Sequence, residues 1–175
     1  ERWTYAISVD ADANPAVSID STTVFMGSSD GTLHAVRTAT GLARWVYEMS
    51  GGGAVKTTPA VKPDGTLVFV LSPNENTLHA VGTSNGLARW TYAVGNSVAS
   101  WVLSPGGAVV YVASRDDNML HAVDAATGAA RWTKATQGSL LSLSVSPDSA
   151  TVFAGSSDNN VYALTTCEPC TAGGW

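Results

Sequence analysis

Charge is scarce in this chain. Lys, Arg, Asp and Glu make up 13% of its 175 residues, and the nine Lys and Arg do not cluster. Binding to nucleic acid or to an anionic bilayer requires a basic face, so neither is an expected partner of a chain with net charge −5. No apolar run approaches the ~18 residues of a membrane span, which excludes membrane insertion by a helix. No segment sustains a 3.6-residue apolar period, so essentially no helix is expected. The motifs G-x-S-x-G, HExxH and G-x-x-x-x-G-K are all missing, and with them the common hydrolase, metalloprotease and P-loop chemistries. Gly51-Gly52-Gly53 is not followed in frame by Lys-Ser/Thr and reads as a flexible loop. Cysteine occurs only at Cys167 and Cys170. The chain opens on Glu1 with no signal-peptide pattern, as a mature product or a piece of a longer protein would.

Apolar residues are plentiful at 45%. That suffices for one real core at this length. Their arrangement is repetitive. Arg2-Trp3, Arg44-Trp45, Arg89-Trp90 and Arg131-Trp132 recur at spacings of 42, 45 and 42. The last three close the phrases LHAVRTATGLARW (33–45), LHAVGTSNGLARW (78–90) and LHAVDAATGAARW (120–132). A fourth copy begins as VYALTT (161–166) and breaks off into CEPCTAGGW. Upstream of each phrase lies TVFMGSSDG (23–31), LVFVLSPNEN (67–76), VVYVASRDDN (109–118) or TVFAGSSDNN (151–160), with Phe25, Phe69, Tyr111 and Phe153 in one register.

Each repeat reads as four short strands, A to D. β-Branched and aromatic residues alternate in strand B, which suits a half-buried pleated surface. Asp64-Gly65 and Gly106-Gly107 suit A–B turns. Asp30-Gly31, Asp117-Asn118 and Asn159-Asn160 suit B–C turns. Thr40-Gly41, Asn85-Gly86 and Thr127-Gly128 suit C–D turns. Asn, Asp and Gly accept the positive φ that tight hairpins demand.

A period near 42 with four strands is that of a propeller blade. The phrase AVDAATGAARW (122–132) resembles the PQQ-like (quinoprotein-like, BamB-like) β-propeller repeat, with its Ala-x-Asp-x-x-x-Gly-x-x-x-Trp pattern. The resemblance covers Glu1 to about Thr166, and departs where Arg37 and Gly82 replace the Asp found at Asp124. The resemblance implies an all-β propeller, and the four repeat copies make it four-bladed over residues 1–166, with a Cys-containing tail over 167–175, although most relatives with this repeat have seven or eight blades. The blades are expected at about 14–48, 56–93, 98–135 and 139–165 plus 1–7. Arg2–Ile7 matches a strand D without A, B or C, and the last repeat has A, B and C without D. The N-terminal strand is therefore expected to complete the last blade and close the ring, removing exposed edges. The rival arrangement is half of an eight-bladed ring completed by a second chain.

Trp3, Trp45, Trp90 and Trp132 share one outer-strand position and are expected to pack between neighbouring blades. Trp101 stands on an inner strand without a repeat equivalent, and could plug the central channel or line a pocket with Lys62 and Arg115. His34, His79 and His121 stand in register, with Tyr162 at the fourth copy. Strand C lies two strands from the axis, which puts symmetry-related His on the order of 20 Å apart, far beyond a shared zinc. An amphipathic ring packed between blades is the expected role. Asp30, Asp64, Asp116, Asp117, Asp148 and Asp158 fit hairpin turns, and the full calcium-loop pattern is missing. No metal and no cofactor are expected.

Relatives of the quinoprotein enzyme type have a larger ring, a calcium ion, a catalytic Asp and usually an adjacent Cys-Cys pair. The Cys-Cys pair is missing here, and no catalytic Asp carries over onto a position of this sequence. Cys167 and Cys170 lack the second pair of a zinc ribbon and the βαβ context of a thioredoxin motif. A disulfide within the pair or to a following module remains, and CEPCTAGGW resembles the start of a small cysteine-rich extracellular repeat. Such a disulfide, few charges and 38 Ser plus Thr suit an extracellular, cell-surface or periplasmic location, and with no N-x-S/T sequon N-glycosylation is not expected. The functional expectation is a non-catalytic interaction or structural module, binding a protein partner or assembling with itself. The alternative is a ligand-binding or remnant quinoprotein propeller that uses its central channel.

Overall fold

The computed structural model describes residues 2–7, 10, 13–49, 54–55, 57–72, 74–95 and 97–166. The loop at 51–53, Cys167 and Cys170 lie outside the described residues. Those residues form four antiparallel sheets of three or four strands, with neighbours in chain order, and contain no helix. Each sheet resembles a propeller blade. The first comprises β1 (Ala16–Val17), β2 (Thr23–Gly27), β3 (Thr32–Arg37) and β4 (Ala43–Glu48). The second comprises β5 (Ala60–Val61), β6 (Leu67–Ser72), β7 (Thr77–Gly82) and β8 (Ala88–Ala93). The third holds β9 (Val98–Leu103), β10 (Val109–Ser114), β11 (Met119–Asp124) and β12 (Ala130–Ala135). The fourth holds β13 (Leu140–Val145), β14 (Thr151–Ser156) and β15 (Val161–Thr165).

Turn chemistry delimits these strands. Positive φ falls on Ser21, Gly65, Gly107 and Ser149 in the A–B turns, and on Gly31, Asn76, Asn118 and Asn159 in the B–C turns. Gly41, Gly86 and Gly128 supply it in the C–D turns. Aspartates brace the same turns. Asp20, Asp64 and Asp148 accept the amides of Thr22, Thr66 and Ala150, and Asp30, Asp117 and Asp158 those of Thr32, Met119 and Asn160. Such local acceptors favour turns over continued strand. The inner strands β1 and β5 are two residues long and follow Pro15 and Pro59. Proline has no N–H to extend the ladder backwards. β9 and β13, which no proline precedes, run to six residues.

The chain divides into two compact units, residues 1–97 and 98–175. In the first, Phe25, Leu33, Met49, Val55, Val68 and Val70 form a buried core. In the second, Tyr111, Leu120, Leu140 and Val152 do so. Each such large apolar side chain contributes roughly 1.5–3 kcal/mol on burial. Every residue of β6 and β10 is buried, whereas β4 and β8 are exposed at every other position or more.

One irregularity recurs. The ladder steps from Ala35↔Trp45 to Val36↔Ala43, from Ala80↔Trp90 to Val81↔Ala88, and from Ala122↔Trp132 to Val123↔Ala130. Arg44, Arg89 and Arg131 are thus the extra residues of three β-bulges. A bulge re-aims side chains relative to the sheet.

The fourth sheet has three strands, and residues 2–7 belong to no ladder. Among the described residues the fourth sheet therefore lacks a strand D. One consequence is visible at Phe153. Its repeat equivalents Phe25 and Phe69 are fully buried, each against a Trp of its own outer strand at 5.7 Å between ring centres. Phe153 has no such Trp in its sheet and is 41% exposed.

Candidate functional site

The outer strands carry the docking chemistry between neighbouring sheets. In the first unit the Trp45 indole donates to Thr83 O at 2.9 Å. Its ring lies against Gly86, where a Cβ would come within 2.7 Å of it. The Trp3 indole donates to Thr38 O at 2.8 Å and lies against Gly41 in the same way. Residues 2–7 thus meet the first sheet as β4 meets the second. In the second unit the Trp132 indole donates to Thr166 O at 3.3 Å.

Two residues beyond these Trp comes a contact that sequence reading missed. The Tyr5 hydroxyl lies 3.0 Å from His34 Nδ1, and the Tyr47 hydroxyl 3.0 Å from His79 Nδ1. Both ring pairs meet edge-on. Burial lowers the pKa of His34, His79 and His121, opposed by Asp30, Glu75 and Asp117 respectively. These rings are therefore neutral near pH 7. Burial also raises the pKa of Tyr47, with Glu75 adding to it, so its hydroxyl keeps the proton it can donate. The signal was present in the sequence. Tyr5, Tyr47, Tyr92 and Lys134 share one repeat position, and Lys134 falls where the following strand C has Tyr162 in place of His. Tyr162 instead donates to Asp158 at 2.5 Å and accepts from the Gln137 amide.

The three histidines stand in three different sheets, on β3, β7 and β11. Among the described residues no group of three His, Cys, Asp or Glu could hold a metal ion. Lys62 follows β5 and donates to Asp64 at 2.5 Å within its own turn. Trp101 is half-buried on β9 opposite Val112, and Arg115 is exposed just beyond β10. Trp101 and Arg115 are therefore separated by three ladder positions, on the order of 10 Å.

Two matching clefts lie between neighbouring sheets, one in each unit. The first, of about 400 Å³, is lined by Ser18, Ile19, Phe25, Arg44 and Thr83, with Asp20 and Asp64 in its wall. The second, of about 440 Å³, is lined by Ser104, Tyr111, Arg131, Trp132 and Thr166. In both, the bulge arginine lines the cleft together with the buried strand-B ring, Phe25 or Tyr111.

Antiparallel sheets in chain order, docked through an Arg-Trp bulge, define a repeat scaffold of the β-propeller type. The family described as outer membrane protein assembly factor BamB matches residues 48–167, and the chain belongs to this PQQ-like repeat family. BamB from Moraxella catarrhalis superposes with a TM-score of 0.76 at 22% identity, over 94% of this chain and 49% of that one. A chain of the mitotic checkpoint complex gives 0.72 at 18% identity, over 89% and 49%. The computationally designed Ika4 protein gives 0.75 at 17% identity, over 94% and 97%. The chain thus spans about half the length of the first two and nearly all of the third. At these identities the likenesses show the fold. No curated protein matches the sequence.

Proposed function

We propose that this protein is a non-catalytic scaffold of the cell envelope or cell surface, closed as a four-bladed ring, that binds a protein partner or copies of itself. Membership of the BamB-described family carries the reading. The cleft carboxylates support it, because Asp20 and Asp64 are engaged in their own turns rather than converged on a reacting centre. Closure has its own support. Residues 2–7 repeat the Arg-Trp-Thr-Tyr-Ala of β8 and carry Trp3 and Tyr5 docked as outer-strand residues. Paired with β15, the segment would bring Trp3 over Phe153 and cover Val161, which is 75% exposed. Recovering that buried surface stabilises by about 1–2 kcal/mol.

The test is chemical cross-linking in the intact envelope of the source cell, with mass spectrometry of the linked peptides. Recurrent links from the turn residues to one protein, or to a second copy, are expected. No links above background, together with a melting temperature raised by pyrroloquinoline quinone and calcium, would overturn the scaffold in favour of a ligand-binding propeller.

A further inference from the structure

The first and third sheets repeat one construction at their outer hairpin with opposite charge. Arg37 closes β3 and Asp124 closes β11. Arg37 N donates to Leu42 O at 2.9 Å, and Asp124 N to Ala129 O at 2.8 Å. Each carbonyl then accepts the amide of the turn glycine, Gly41 or Gly128. Arg44 and Arg131 are the matching bulge residues on the neighbouring strands. In the third sheet the two side chains pair, with Arg131 Nη2 at 2.6 Å and Nε at 3.1 Å from Asp124 Oδ2. That bond is the main reason the Asp124 pKa falls to about 2. In the first sheet a second guanidinium stands where the carboxylate should be. Among the described residues no side-chain hydrogen bond or ion pair holds the Arg37 or Arg44 guanidinium, and Arg44 has only a longer-range attraction to Asp20.

Arg44 is also a wall of the first-unit cleft. The cleft's own carboxylates are already engaged. Asp20 accepts from the Ser18 hydroxyl and from Thr22, and Asp64 from Lys62 and Thr66. Ile19 lines the same cleft at 63% exposure. The first sheet thus has two arginines without a hydrogen-bonded carboxylate, beside exposed apolar surface, where the third sheet has a closed Asp–Arg pair. Proteins break local rules of this kind at functional sites.

We propose that Arg44, supported by Arg37, receives a carboxylate from a partner protein: an Asp or Glu side chain flanked by an apolar residue that seats on Ile19. The third sheet supplies the template, since Asp124 shows how this bulge arginine holds a carboxylate through two N–H groups. Fork-to-carboxylate pairing is the strong, oriented mode of arginine recognition. The proposal rests on the scaffold reading and names the partner chemistry of one of its faces.

The test is titration of the full chain with the peptide acetyl-Gly-Leu-Glu-Leu-Gly-amide, followed by NMR at the arginine Nε–Hε groups. The Gln analogue of the peptide and inorganic phosphate serve as comparisons. Arg44 should move with the Glu peptide and not with the Gln analogue, while Arg131 stays still. Arg37→Asp would rebuild the third-sheet pair in the first sheet and should weaken binding by about tenfold or more, as should Arg44→Gln. Should Arg37→Asp not fold, Arg37→Gln gives a smaller loss in the same direction. Equal response of Arg44 and Arg131, unchanged affinity in both Arg44→Gln and the Arg37 variant, or no response to millimolar peptide would each overturn the proposal. A stronger response to phosphate than to the Glu peptide would also overturn it. Peptide binding that ignores Arg44 would leave the scaffold reading standing and remove this site.

Discussion

Gly86→Ala tests the inter-sheet docking most sharply. Gly86 has φ +69°, and a Cβ there would lie 2.7 Å from the Trp45 ring. An alanine in the left-handed region costs about 1–2 kcal/mol. Forcing the indole aside adds about 1–3 kcal/mol of overpacking. Losing the Trp45-to-Thr83 hydrogen bond adds about 1 kcal/mol. The total is about 3–6 kcal/mol, or roughly 6–24 °C in melting temperature for a chain of this size. Gly65→Ala is the control. Gly65 has φ +74° and nothing within 4 Å of its added Cβ, so only the backbone cost applies. Chemical denaturation of both variants, with and without Trp45→Ala, separates the contributions. Gly86→Ala should lose most of its excess cost once Trp45 is gone. Equal costs for the two glycines, or an unchanged cost without the indole, would refute the docking argument.

Other outcomes follow from the same geometry. Folded-state pKa values of His34, His79 and His121 lie below the ordinary value of 6.5, so the stability they contribute is full above that pH and lost as pH falls below it. Melting temperature should therefore be flat above neutrality and decline below about pH 6.5, with His79→Gln shallowing the decline. A second decline is expected as pH falls from 3.8 to about 2, where the unfolded chain takes up protons that the folded Asp64 and Asp124, both lowered to about 2, do not yet accept. Ser149→Gly should stabilise by about 0.5–1 kcal/mol in denaturation, because Ser149 holds a positive φ of 59°. Deleting residues 1–7 should remove the Trp3 and Tyr5 contacts and cause aggregation or unfolding; a truncated chain with unchanged melting temperature and mass would count against closure.

Most of the strand plan was legible because its determinants are local. Turn residues at fixed offsets and alternating β-branched residues act within a few positions of themselves, so Gly41, Gly86 and Gly128 could be placed from sequence. Ser21 and Ser149 escaped notice because serine seldom takes positive φ, and only the neighbouring hydrogen bonds hold it there. The Tyr–His contacts escaped for a different reason. Tyr47 and His79 are 32 residues apart and meet only when sheets dock. Likewise, the Arg44 and Arg131 difference is invisible until the bulge puts each arginine beside position 37 or 124. Short-range chemistry announces itself in a repeat, whereas inter-sheet chemistry shows as small departures such as Arg37 for Asp124.

The central claim is a self-closed ring in one chain. The measurement that tests it most directly is native mass by light scattering after size exclusion, on oxidised material. The account predicts a mass near 18.0 kDa. A discrete doubling would contradict it and assign the missing outer strand of the fourth sheet to a second chain.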